Sequence, residues 1–274
     1  MRRFAFVLPL LAFLLVSAYA SQRASRPLTN EGLRTAQIPR RYEPPSSTAT
    51  VAELETRGDE FRAEKAYGDA IDYYRTALGR GADKKVQATI YNKIGIAELQ
   101  LQHLKEAQKN FERALKLNPT LAEARNNVGA AHYLRKKYGK AIKQYRKALE
   151  LQPDNASFHS NIATAYFADK KYSQALAEYR QALTLDPTVL ERNSQTGVSA
   201  QISSPENRAQ YHYLLAKLYA ETGNFDRSIE CLKKAMEDGY KDIDAVYKDV
   251  EFAALRKDPR FTALMAQKPV AIPE

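Results

Sequence analysis

Residues 122–155 read AEARNNVGAAHYLRKKYGKAIKQYRKALELQPDN. Apolar residues recur at helical spacing in two stretches, divided by the polar turn Lys136-Lys137-Tyr138-Gly139. Gly129 falls near the middle of the first stretch, where a missing side chain lets another helix cross closely. In the second, Ala141 and Ala148 are seven residues apart, two turns along one face, and Tyr145 lies four residues after Ala141. Pro153 ends the pattern, because proline cannot continue a helix and suits the first turn of the next one. The stretch therefore reads as a helical hairpin.

The same pattern stands 34 residues away on either side. Gly95, Gly129 and Ala163 form one column. Ala107, Ala141 and Ala175 form the next, followed by Phe111, Tyr145 and Tyr179, by Ala114, Ala148 and Ala182, and by Pro119, Pro153 and Pro187. Asn118 and Asp186, just ahead of two of these prolines, are residue types that cap helix starts. A fixed period of this length marks a stacked array rather than one closed core, so 274 residues need not divide into two compact domains.

The two flanks differ from the array. Met1-Arg2-Arg3 precedes an apolar run, Phe4 to Val16, and Ala18-Tyr19-Ala20 fits the small-residue cleavage pattern. The run is shorter than the roughly 20 residues a bilayer-spanning helix needs. Residues 1–20 thus read as an export signal cleaved near Ala20, with a retained anchor as the alternative and a periplasmic or extracellular destination. Residues 21–50, rich in Pro, Ser, Thr and Arg, read as a flexible linker. Formal net charge is +10, or +8 once Arg2 and Arg3 leave with the signal. Cys231 is the only cysteine, which excludes an intrachain disulfide, and its place in a helix reads as a packed thiol.

The columns resemble the tetratricopeptide repeat family. Unit 88–121 carries Tyr91, Ile94, Gly95, Ala107, Phe111, Ala114 and Pro119; unit 122–155 carries Val128, Gly129, Ala141, Tyr145, Ala148 and Pro153; unit 156–189 carries Ile162, Ala163, Tyr166, Ala175, Tyr179, Ala182 and Pro187. Unit 51–84 matches through Leu54, Gly58, Phe61, Ala70, Tyr74 and Ala77 but lacks the closing proline. Unit 209–242 matches through Leu215, Ala216, Tyr219 and Ala235, with Ser228 and Leu232 where alanine and an aromatic are expected. The resemblance implies an all-α, right-handed superhelix of about five hairpins with C-terminal capping helices.

A break in spacing, Ala163 to Ala216, places an insertion at roughly 190–208, which reads equally as a packing adapter or a binding loop. Ser204-Pro205 has the form of a cap and first turn restarting a helix. In 243–274, Phe252, Leu255, Phe261 and Leu264 alternate with charges, and Asp258-Pro259 restarts a helix. This segment reads as a cap over the last hairpin.

Catalytic signatures are missing: there is no phosphate-cradling glycine loop, G-x-S-x-G or H-E-x-x-H. His132, His159 and His212 fall at repeat positions that normally hold packing aromatics, so neither metal nor cofactor is expected. By the family resemblance, the first helix of each unit lines a concave groove, which here is formed by Asn92, Lys93, Ile96, Asn126, Asn127, Ala130, Tyr133, Asn161, Thr164 and Phe167. The asparagines can donate to and accept from an extended peptide, and Tyr133 and Phe167 supply apolar anchors. The chaperone-tail clamp is not expected, since Glu55, Asp59, Ile96 and Glu123 occupy its positions.

A second surface is basic. Between 101 and 150 there are 12 Lys or Arg against four Glu. Arg135, Lys136, Lys137, Lys140, Lys143, Arg146 and Lys147 cluster on an outer face or edge, suited to an acidic partner or to weak contact with anionic lipid. No recognition motif accompanies them, so nucleic acid is not expected. The expected function is a non-catalytic scaffold holding a protein or peptide in the groove. The alternative is a structural subunit of an envelope assembly, docked through the basic face or the 190–208 loop.

Overall fold

The computed structural model describes residues 44–190 and 204–267. Residues 1–20, read as a signal, most of the stretch read as a linker, and residues 191–203 of the stretch read as an insertion lie outside the described residues. Ten helices pair in chain order: α1 (Val51–Ala63) with α2 (Tyr67–Leu78), α3 (Lys84–Gln100) with α4 (Leu104–Leu117), α5 (Ala122–Leu134) with α6 (Tyr138–Leu149), α7 (Ala156–Ala168) with α8 (Tyr172–Leu185), and α9 (Pro205–Glu221) with α10 (Phe225–Glu237). No strand occurs among the described residues. The second helix of each hairpin packs on the first helix of the next, and first helices also touch across units, α3 on α5 and α5 on α7. The chain is an all-α solenoid.

The hairpins close because glycine and an aromatic ring share one space. A Cβ placed on Gly58, Gly95 or Gly129 would lie 2.5, 2.4 or 2.5 Å from the ring of Tyr74, Phe111 or Tyr145 respectively. The aromatic column therefore fills the inside of its own hairpin, not only the gap between hairpins. The alanine columns, Ala70, Ala107, Ala141 and Ala175 with Ala77, Ala114, Ala148 and Ala182, have no solvent exposure. Any longer side chain there would force neighbouring helices apart. In the last unit Ser228 takes the alanine position and is equally buried. Its Oγ donates to the Ala216 carbonyl at 2.7 Å, which removes the cost of an unpaired hydroxyl.

Each first helix ends in the same way. Lys65, Gln102, Lys136, Lys170 and Gly223 occupy equivalent positions and all have positive φ, from 57° to 76°. The next residue's N–H reaches back to the helix, as in Lys137 N to His132 O at 2.9 Å and Asn224 N to Tyr219 O at 2.8 Å. This closure satisfies carbonyls that a helix end leaves open, but it holds four non-glycine residues in the left-handed region.

Asn118 does not cap the following helix α5, contrary to the sequence expectation, and Asn118 and Asp186 share another role. Each terminates its own helix, and its Oδ1 accepts from the N–H two residues on: Thr120 at 3.1 Å and Thr188 at 2.9 Å. Pro119 and Pro153 sit in the connecting turns, before α5 and α7 begin, rather than in a first helical turn. Side-chain caps come from Thr50, Asp83, Asn155, Ser204 and Asn224. Ser204 starts α9 at Pro205, inside the stretch read as an insertion. Three short 3-10 turns (Ile243–Tyr247, Val250–Phe252, Leu255–Lys257) and α11 (Pro259–Gln267) follow. They bury Val246, Phe252, Leu255, Phe261 and Leu264 in one core with α9 and α10.

Candidate interaction surfaces

The first helices present to one another the polar residues that the sequence offers to a peptide. Asn127 Nδ2 donates to Asn92 Oδ1 at 2.9 Å, and Asn161 Nδ2 donates to Asn126 Oδ1 at 2.9 Å. Asn126 and Asn127, neighbours on α5, join the two pairs at 3.4 Å. In each pair the later unit donates from its sixth position and the earlier unit accepts at its fifth. The junction between the first two units has the charged form of this contact: Lys93 Nζ lies 2.6 Å from Glu55 Oε1 and 2.6 Å from Asp59 Oδ2.

Asn92, Asn126, Asn127 and Asn161 are all buried. The expectation that their amides stand open to a peptide is corrected: in this structure they bind the repeats to each other. A buried amide without a partner is costly, and each asparagine is placed beside the neighbour that satisfies it. Lys93 and Ile96 are half-buried, whereas Ala130, Tyr133, Thr164 and Phe167 are buried. Tyr133 packs on Tyr138 at 5.6 Å between ring centroids. Phe167 packs on Tyr172 and Tyr211, both at 5.4 Å. Both rings expected as anchors are thus in aromatic contact inside the fold.

Below this row lies a second polar column that sequence reading misses. Tyr74 Oη donates to Asp59 Oδ1 at 2.6 Å, and the Tyr179 and Thr164 hydroxyls meet at 2.9 Å. Tyr145 has Ala130 at the equivalent position, and its buried hydroxyl has no hydrogen-bond partner among the described residues. Burial raises the Tyr145 and Tyr179 phenols well above their ordinary range, so both stay protonated. The signal is in the sequence, as residues 15 apart, but only the hairpin register pairs them.

The basic face is open. Lys136, Lys137, Lys140, Lys143 and Arg146 are exposed, while Arg135 and Lys147 are half-buried. Arg135 Nη1 donates to Gln108 Oε1 at 2.8 Å, and Arg146 Nη2 donates to the Tyr166 hydroxyl at 2.7 Å. Lys136, Lys137, Lys140, Lys143 and Lys147 have no carboxylate partner among the described residues. Their field reaches His132, whose imidazole is held below its ordinary range by burial first and then by Arg135, Lys140 and Lys137. The other histidines lie against carboxylates: His103 on Glu98 at 2.8 Å, His159 on Glu178 at 2.8 Å, and His212 on Asp238 at 2.7 Å. Among the described residues no cluster has the donors to hold a metal ion, and no helix is long and apolar enough to cross a membrane. Cys231 is buried, which pushes its thiol up to about 12.

Two family-model matches coincide with units 88–121 and 156–189. A family model described as TPR repeat matches residues 131–170, and models described as tetratricopeptide repeat match 88–121, 156–189 and 209–237. No curated protein matches the chain in sequence. Among solved structures, it is similar to a thermophilic TPR protein of Thermus thermophilus, TTC0263, at 19% identity and a TM-score of 0.49, covering 76% of this chain and 100% of that one. MamA from Desulfovibrio magneticus RS-1 aligns at 19% identity and a TM-score of 0.47, covering 70% and 96% of the two chains. YrrB, titled a TPR protein with an unusual peptide-binding site, aligns at 18% identity and 0.44, covering 72% and 91%. With the period, the glycine–aromatic packing and the repeat matches in agreement, the chain is a tetratricopeptide-repeat protein.

Proposed function

We propose that this chain is an exported, non-catalytic scaffold that holds an acidic protein partner against the basic face of its third hairpin. One observation carries the reading. Lys136, Lys137, Lys140, Lys143 and Lys147 crowd one turn and one helix without a neutralising carboxylate among the described residues. Like charges held together raise the local potential, and a partner of opposite sign relieves it and is steered toward it. Lys136→Glu, Lys140→Glu and Lys143→Glu together should abolish salt-sensitive binding of poly-L-glutamate, measured by fluorescence anisotropy, without changing helicity. Equal binding by the triple variant would overturn the reading. Export is tested by mass spectrometry of the envelope fraction, where the cleaved chain starts at Ser21.

A second reading is peptide capture along the first helices, as the family resemblance implies. The asparagine contacts and the lysine bridge close that wall at the first three junctions. They stop before the fifth unit, where positions equivalent to the groove line an open pocket. That pocket favours the second reading at this end of the array alone.

A further inference from the structure

We propose that the pocket between the fifth unit and the C-terminal cap is a binding site for a cationic side chain, lysine or arginine, of a peptide lying on the inner wall. The inference rests on the second reading above. The pocket has a volume of about 410 Å³ and is formed by three parts of the chain that are distant in sequence. Gln210, Tyr213 and Lys217 come from α9, Tyr172 and Leu176 from α8, and Tyr240, Asp242, Asp249 and Glu251 from the segment after α10.

The chemistry of the lining selects for positive charge. Three carboxylates, Asp242, Asp249 and Glu251, face one ammonium, Lys217. Lys217 Nζ lies 3.1 Å from Asp249 and 3.2 Å from Glu251, and the Tyr213 hydroxyl donates to Asp249 at 2.8 Å. Asp242 is exposed, and its side chain has no hydrogen-bond or ion-pair partner among the described residues. The lining therefore carries a formal net charge of −2, and Asp242 is its exposed carboxylate. Tyr213 and Tyr240 stack at 4.2 Å and 15°; Tyr213 is buried between Tyr240 and Phe252, and Tyr240 is the partly exposed ring of the pocket wall. Both phenols sit in the field of Asp242 and Asp249. Burial and that field push Tyr240 up to about 12, so it remains a neutral ring with its donor intact. A partly exposed tyrosine ring beside an unpaired carboxylate, in a lining of net negative charge, is the environment in which a guanidinium or ammonium group binds, through its charge and against the π surface. A carboxylate or phosphate would meet net repulsion here.

The cap is what makes the site. Its 3-10 turns carry Asp249 and Glu251 over the inner face of α9, and the cap core of Val246, Phe252 and Leu255 fixes them there. The cap thus supplies ligand groups as well as covering the last hairpin.

The test uses the full chain and three probes, the acetylated amides of arginine, lysine and norleucine, followed by NMR shifts of the α9 and cap amides. The arginine and lysine probes should saturate with shifts confined to this pocket, and norleucine should not. Asp242→Asn with Glu251→Gln should weaken the cationic probes by at least about tenfold, with helicity and melting unchanged. No saturable shift, or equal binding of norleucine, would overturn the proposal. So would undiminished binding by the double variant, provided its melting is unchanged. If the double variant melts early, Asp242→Asn alone, which breaks no contact, decides in the same way. A longer peptide that binds the inner wall of wild type and double variant equally would remove the pocket but leave the second reading standing. Loss of all peptide binding to the inner wall would remove both.

Discussion

Tyr145→Phe should stabilise this protein, although it deletes a hydroxyl group from the core. The hydroxyl is fully buried and has no partner among the described residues, whereas its counterparts in two other hairpins each have one. Tyr74 reaches Asp59, Tyr179 reaches Thr164, and Phe111 stands opposite Ile96, an apolar pair needing none. Only Tyr145, opposite Ala130, combines a polar tip with an apolar register. An unsatisfied buried hydroxyl costs about 1–3 kcal/mol, so its removal should return about 1–2 kcal/mol once a small gap is left behind. For a chain of this size that corresponds to roughly 2–8 °C in Tm. Tyr179→Phe is the control, because it breaks a real hydrogen bond and orphans Thr164; it should cost about 1 kcal/mol or more. Ala130→Ser offers a second route, as it places a hydroxyl at the register that Thr164 uses. Urea midpoints compared at constant m report the effect without assuming that heating is two-state. If Tyr145→Phe and Tyr179→Phe shift the midpoint in the same direction, the orphan-hydroxyl argument is wrong.

Other expectations follow from the same structure. Gly95→Ala drives a Cβ to 2.4 Å from the Phe111 ring, so urea melts should show a loss of about 1–3 kcal/mol. Lys136→Gly relieves a left-handed lysine (φ 57°) and should gain about 0.5–1 kcal/mol by the same assay, whereas Gly223→Ala should lose about as much. Asn127→Ala leaves Asn92 unpaired in the core, and hydrogen exchange should report an opening at the junction of the second and third units. His132 should titrate below the free imidazole value of about 6.5 by NMR, and Lys137→Gln with Lys140→Gln should move it back up. Because folding depresses that value, the stabilisation from neutral His132 is present above pH of about 6.5 and falls as the unfolded chain gains its proton below it.

The period and its small-residue columns are readable in the sequence because each column is set by contacts inside one hairpin, where residue spacing and distance correspond. Gly129 needs its neighbour to be small whatever the rest of the array does. The turn conformation at Lys65, Gln102, Lys136 and Lys170 is not readable, since glycine, the residue that advertises positive φ, appears there only as Gly223. The asparagines read as surface donors because their partners stand 35 residues away, and only stacked helices reveal that separation as contact. Asn118 reads as a cap of the following helix but closes an Asx turn instead, since the same side chain does either as readily. The acidic pocket leaves no pattern: Tyr213 and Asp249 are 36 residues apart and belong to different kinds of structure. The basic cluster is plain from composition, but that its lysines lack carboxylate neighbours depends on which helix faces are adjacent.

The polar contacts between first helices also make the units non-interchangeable. Every contact has a direction, with the donor on the later unit and the acceptor on the earlier one, and the first junction pairs an ammonium with carboxylates where the next two pair amides. Transposing the second and third units would set Lys93 against Asn126 and strand Glu55 opposite a neutral amide. The helical hairpins would still nest, since their alanines and rings are alike, but the chain would carry mismatched charge at half-buried junctions. The order of near-identical modules is therefore written in chemical form, and a duplicated or shuffled unit would betray itself as a misfit at its two borders.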